Sequence, residues 1–133
     1  MLLAVLLATA AASTTVEHRG ARYDLDYRPH VRVAARTVGV ATGARPSTQR
    51  CRWSMTVAVE RSIRGAEGRP VAAALLPHVK TLDGSHHGDC LAARGAVERA
   101  QLAAQDDVRA HVAAVAAADR DEALDDLGGR ARS

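Results

Sequence analysis

Phenylalanine and asparagine are missing from this 133-residue chain, isoleucine and lysine occur once each, and Trp53, Tyr23 and Tyr27 are its only aromatic residues. Without phenylalanine the core must be filled largely by alanine and valine, whose small buried areas give little hydrophobic stabilisation per residue. Without asparagine, N-linked glycosylation is excluded. No apolar run approaches the roughly 20 residues of a membrane-spanning helix. The sequence also has no Gly-x-Ser-x-Gly elbow, phosphate-binding loop, His-Glu-x-x-His helix or dinucleotide fingerprint. Arginine outnumbers lysine seventeen to one, a bias that a GC-rich genome imposes through codon usage, so arginine content alone carries no functional message.

What the chain does have begins at Leu2, where an apolar run extends through small residues to Ala12, ahead of the polar cluster Ser13-Thr14-Thr15. Ala10 and Ala12 occupy the two small-residue positions that a signal peptidase reads. Residues 1–12 are therefore read as a signal peptide, with Ser13 as the mature N-terminus, no membrane span after cleavage, and a periplasmic or secreted destination. The two cysteines suit an oxidising compartment, and Cys51 is expected to pair with Cys90. About 120 residues then remain, enough for one domain but not for a second independent core.

Charge is unevenly spread. Eleven basic and five acidic residues lie between Glu17 and Arg69, whereas seven basic and ten acidic lie from Pro70 onward. The basic front half alternates with period two. Tyr23, Leu25 and Tyr27 share one face and Arg22, Asp24, Asp26 and Arg28 the other, the pattern of a half-buried strand. Val31, Val33 and Ala35 continue it beyond Pro29, but the apolar phase then slips to Val38 and Val40, and a bulge near Arg36-Thr37 is expected to absorb the slip. After a turn-rich segment at residues 42–47, Cys51, Trp53, Met55, Val57 and Val59 alternate with polar neighbours as the clearest strand.

Residues 71–79 fit either a further strand or a short helix, and Asp83–Gly88 reads as a loop leading to an N-cap at Asp89. From Cys90 onward, Val97, Ala100, Ala104, Val108, His111, Val112 and Val115 fall at helical spacing. Asp119 and Glu122 resemble a capping box that restarts a last helix, ended by Gly128-Gly129. The fold class expected is α+β: a small antiparallel sheet of three to four strands packed on one long C-terminal amphipathic helix, with one disulfide. Residues 13–127 form the single domain and 128–133 a flexible tail.

Two groups of residues are candidate sites. Arg22, Arg28, Arg32, Arg36 and Arg52 lie on the polar strand face, with Arg45 and Arg50 nearby, and guanidinium groups there could bind a carboxylate or phosphate polymer. The competing explanation is that such charges merely keep sheet edges from aggregating. Nucleic acid is not expected as a partner, because no aromatic residues interleave on that face to stack bases. An acidic protein or an envelope polyanion is. The second group, His78, His86 and His87, has metal-ligand chemistry, although adjacent histidines on an extended segment point apart. His111 on the helical stripe reads as a packed histidine. Ser85 beside His86 is the one hydroxyl next to a base, and sequence neighbours seldom form a working pair. The sequence thus points to a non-catalytic exported module without a cofactor, binding an acidic partner through its arginine face. The alternatives are a metal-binding protein using the histidines, and a small hydrolase.

Overall fold

A computed structural model describes residues 11–41, 43 and 48–130. The chain first makes an antiparallel meander of β1 (Ala12–His18), β2 (Ala21–Val38) and β3 (Arg50–Arg64). A single 3-10 turn at Ala66–Gly68 leads into β4 (Pro70–Leu75) and then β5 (Lys80–His87). Both pair with the far edge of β3, β4 along Glu60–Arg64 and β5 along Arg50–Val57, so five strands fill four positions. Two helices follow, α1 (Arg94–Ala103) and α2 (Gln105–Arg130). The expected mixed fold is what forms, one sheet packed on one long helical segment with a break at Ala104. No helix among the described residues is long and apolar enough to cross a membrane.

Local sequence accounts for most of this order. Arg19 and Gly20 both have positive φ, 52° and 79°, the two-residue turn whose twist matches that of the flanking strands. Alternation along β3 buries Cys51, Trp53, Met55, Val57, Val59 and Ile63 on the face beneath the helices. One cluster gathers Cys51, Trp53, Met55 and Val57 with Ala93, Val97 and Val108; the other gathers Val16, Leu25, Tyr27, Val59 and Ile63 with Val112, Val115, Ala123 and Leu127. The Cys51–Cys90 disulfide, with Cα atoms 4.6 Å apart, joins the start of β3 to the turn before α1. Closing a loop with a sequence separation of 39 stabilises the fold by about 4 kcal/mol in the chain-entropy model.

Several expectations are corrected. No bulge occurs at Arg36-Thr37: β2 stays in register with β3 from Asp24↔Arg64 to Val38↔Arg50, passing straight through Pro29. The apolar phase slips at no cost because the far half of β2 is solvent-accessible, with Val33 46% exposed. Residues 70–75 are a strand, and so is most of the supposed loop at Asp83–Gly88. That strand contains Gly84 because the Trp53 indole lies on it; a Cβ there would stand 2.5 Å from Nε1. The helix breaks at Ala104 rather than restarting at Asp119, and α2 runs through Gly128 and Gly129 to Arg130. Asp89 caps the turn before α1, accepting from the Ala92 N–H at 2.7 Å. Most of the expected signal peptide, residues 1–10, lies outside the described residues, as do 131–133 of the expected tail.

Asp119 does something other than capping. It sits on the buried stripe of α2, 1% exposed, and accepts two bonds from Arg61 Nη1 at 2.8 and 2.9 Å and one from the Tyr27 hydroxyl at 2.9 Å. Arg61, whose side chain is 4% exposed, also pairs with Asp126. One carboxylate thus ties β2 and β3 to α2. Desolvation alone would weaken the guanidinium's hold on its proton, but the Asp119 and Asp126 carboxylates outweigh it and raise the Arg61 pKa. Burial, reinforced by the Asp119 carboxylate, pushes the Tyr27 hydroxyl well above its ordinary value.

Two outcomes follow from this cluster. Replacing Arg61 with Met strands a buried carboxylate and is expected to cost about 3–5 kcal/mol by urea denaturation, whereas the triple variant Tyr27→Phe/Arg61→Met/Asp119→Leu should recover most of that loss. A triple variant as unstable as the single one would show that the charges are not the cause. The second outcome concerns alkali. Because the folded pKa of Tyr27 lies above its unfolded value near 10, its stabilisation is complete below about pH 10 and is lost as pH rises further. Denaturation midpoints should fall between about pH 10 and 12 in the native sequence, and less steeply in Tyr27→Phe.

Candidate functional site

The face of the sheet away from the helices carries the even-numbered residues of β2 and β3 and the odd-numbered residues of β5, since side chains alternate along each strand. Its charges fall into two zones. Near the β1–β2 turn they neutralise one another. Arg22 lies 3.9 Å from Glu17, Thr15 donates to Asp24 at 3.0 Å, and His30 meets Glu60 at 2.6 Å. Asp26 takes a 2.6 Å bond from Ser13 and pairs with Arg64. The Ser13 hydrogen bond, joined by the Arg64 guanidinium and outweighing burial, holds the Asp26 carboxyl below the usual carboxylate range. Arg28 adds to that effect by its charge alone.

At the other end the balance is lost. Arg36 and Arg52 are direct cross-strand partners, an arrangement that like charges disfavour. Arg50 donates its Nε–H to Ser85 Oγ at 2.8 Å. Arg32 follows on β2, four residues before Arg36 and so about 13 Å away along the strand. Among the described residues no carboxylate lies within ion-pair distance of Arg32, Arg36 or Arg52. Ala34 and Ser54, opposite each other between the arginines, are too small to fill the surface and leave an open concavity of about 520 Å³ with Arg36, Arg52, Asp83 and Ser85 around it. Asp83 is the one acid at its rim. Several guanidinium groups with one carboxylate between them, over a floor of small side chains, can receive a carboxylate, sulfate or phosphate group.

The structure therefore divides the arginines that the sequence singled out. Arg36 and Arg52 come together with Arg50 beside them, Arg32 stands on the same face about 13 Å farther along β2, Arg28 stands nearer the neutralised zone, and Arg22 lies at the far end beside Glu17. Arg45 lies outside the described residues. Register explains the division: residue 22 pairs with β1 and precedes the start of the β2–β3 ladder at Asp24, residue 52 lies near the other end of that ladder, and 36 faces 52.

The histidines do not converge. His86 and His87 are neighbours on β5 and so point to opposite faces. His86 turns inward, where its Nε2 accepts the Trp53 indole N–H at 3.2 Å. His78 uses its carbonyl oxygen, 3.1 Å from His111 Nε2, to hold α2. No group of three metal-ligating side chains forms among the described residues. Ser85 and His86 likewise face opposite ways, and the Ser85 hydroxyl is occupied by Arg50. Asp24 and Asp26 share the outer face, as their alternation implies, but both are engaged by Thr15, Ser13 and Arg64.

Sequence reasoning missed Arg61 and Asp119, which are structural and not part of this face. Their positions did carry a signal. Arg61 continues the inward parity of β3, and Asp119 lies four residues beyond Val115 on the buried stripe of α2. Set against known proteins, the chain matches no family model, no curated sequence and no solved structure.

Proposed function

We propose that this chain is an exported, non-catalytic module that binds a polyanion or an acidic protein through the arginine-bearing end of its open sheet face. The observation that supports the reading is the segregation of charge on that face. Acids neutralise the arginines at one end, while at the other Arg36 and Arg52 border a concavity, Arg32 lies farther along the same face, and none of the three has an acidic partner among the described residues. Folding alone does not require this placement. Setting Arg36 opposite Arg52 costs stability, so the arrangement is better explained by a ligand that offsets the repulsion. Export is supported by the apolar leader and by the Cys51–Cys90 disulfide, a bond that persists in oxidising compartments.

Binding is tested by retention on a heparin column. The triple variant Arg32→Ser/Arg36→Ser/Arg52→Ser should elute at markedly lower salt, because exposed charges are screened within about 8 Å at physiological ionic strength. Its thermal stability should hold or rise slightly, because the Arg36–Arg52 repulsion is removed and surface substitutions usually fall within about 0.5 kcal/mol. Arg22→Ser, at the neutralised end, should leave retention nearly unchanged. Equal losses for Arg22→Ser and the triple variant would mean that only total charge matters and would overturn the reading.

Export is tested by sequencing the N-terminus of protein collected outside the cytoplasm. Ser13, or a residue within a few positions of it, is expected. Soluble cytoplasmic protein that retains Met1 would contradict it.

A further inference from the structure

The ladder of β2 with β3 runs fifteen pairs, from Asp24 to Val38, but on its other side β2 is paired by β1 only from Ala21 to Tyr27. Beyond Tyr27 the edge is open among the described residues. The direction of the main-chain groups along it can be deduced. Thr48 N–H donates to the Val40 oxygen at 3.1 Å, so even-numbered residues of β2 turn their amides toward β3 and odd-numbered ones turn away. Pro29 agrees, since a residue without an N–H belongs where no ladder bond is needed. Val31, Val33, Ala35 and Thr37 therefore direct their N–H and C=O groups at the open edge.

Its two flanks differ in chemistry. On the helix side stand Val31, Val33 and Ala35, with Val33 46% exposed. On the outer side stand Arg32 and Arg36. Edges that resist aggregation are short, bulged or twisted away, or carry proline and charge as this one does at Pro29, Arg32 and Arg36. This one is long and keeps an unbroken register. The opposite edge of the sheet is interrupted between Leu75 and Lys80, where Pro77 intervenes.

We propose that the open edge of β2, from Pro29 to Val38, is a strand-docking site for an extended segment of a partner protein. In that segment, apolar residues facing the helix side alternate with acidic residues facing Arg32 and Arg36. Main-chain hydrogen bonds to Val31, Val33, Ala35 and Thr37 supply affinity, and the alternating side chains supply selectivity, as in strand addition to other sheet edges. A second copy of this chain is a poor occupant. Antiparallel pairing of two β2 edges about Val33 gathers Arg32 and Arg36 of both copies into one row of like charge. The proposal rests on the acidic-partner reading and adds the mode of binding.

The probe is a nine-residue peptide of alternating valine and glutamate, blocked at both ends, titrated into the full chain by isothermal calorimetry. Amide exchange is followed by NMR. In the free protein the amides of Val31, Val33, Ala35 and Thr37 should exchange fast, and peptide should slow them at least tenfold. Methylating alternate amide nitrogens of the peptide, in both phases, should weaken binding at least tenfold in one phase without altering charge. Val33→Pro, which removes an edge donor at the same parity as Pro29, should do the same; if that variant fails to fold, the methylated peptides carry the test alone. Binding indifferent to methylation in both phases, or equal binding of a valine–lysine peptide, would overturn the docking proposal. So would a dimer in sedimentation that Val33→Pro dissolves. Heparin retention lost on removing Arg32, Arg36 and Arg52, but with no peptide binding, overturns strand docking and leaves the anion reading standing. Failure of both removes the two together.

Discussion

The carboxylate of Asp119 is the point on which the helix and the sheet agree. It accepts from Arg61 on β3 and from Tyr27 on β2, so three segments far apart in sequence share one buried charge. Packing between alanine and valine surfaces is poorly directional, and such side chains bury little area each. A helix lined by Val108, Val112, Val115 and Ala123 could slide along the sheet with modest loss. The ion pair removes that freedom, because a shift of one turn would leave both charges buried and unmatched, at a cost of several kcal/mol. The scarcity of large apolar residues and the presence of a buried salt bridge are in this sense two sides of one solution.

The disulfide plays the matching part at the other end of the sheet. It fastens Cys51, in the cluster with Trp53 and Met55, to the turn that starts α1. Between these two fixed points the helical segment breaks at Ala104; α1 and the start of α2 cover the Cys51 cluster through Val97 and Val108, and the rest of α2 covers the other. The helices cover the inner face over β3 and the paired half of β2, while the far half of β2 projects beyond β1 with Val33 exposed. That projection makes the arginine concavity and the open edge neighbours.

The sequence made β3 legible because one side of it is buried throughout and the other polar except at Ala58, the condition under which period two is clean. The cysteine pair and the helical stripe were legible for similar reasons. Strand β5 was not, since Leu82 is its one apolar residue with a large side chain and Gly84 and Asp83 both signal turns; only the indole of Trp53 across the ladder explains the glycine. The bulge inferred at Arg36-Thr37 came from assuming that β2 is half-buried along its whole length, whereas its last third has solvent on both faces. For the candidate site, alternation placed the arginines on one face, but register decided which of them meet. Arg36 opposite Arg52 and Arg22 beside Glu17 are facts of pairing between strands, which no single stretch of sequence contains.

The division of the core into two clusters gives the molecule separate optical reporters. Trp53, the sole indole, lies in the cluster tied by the disulfide and donates to His86, while Tyr27 lies in the cluster tied by Asp119. Tyr23 packs against that same cluster, so emission from the tryptophan and near-ultraviolet dichroism from the two tyrosines watch opposite ends of one domain. Coincident loss of the two signals during denaturation reports a single cooperative unit, and a lag between them dates the release of one end before the other.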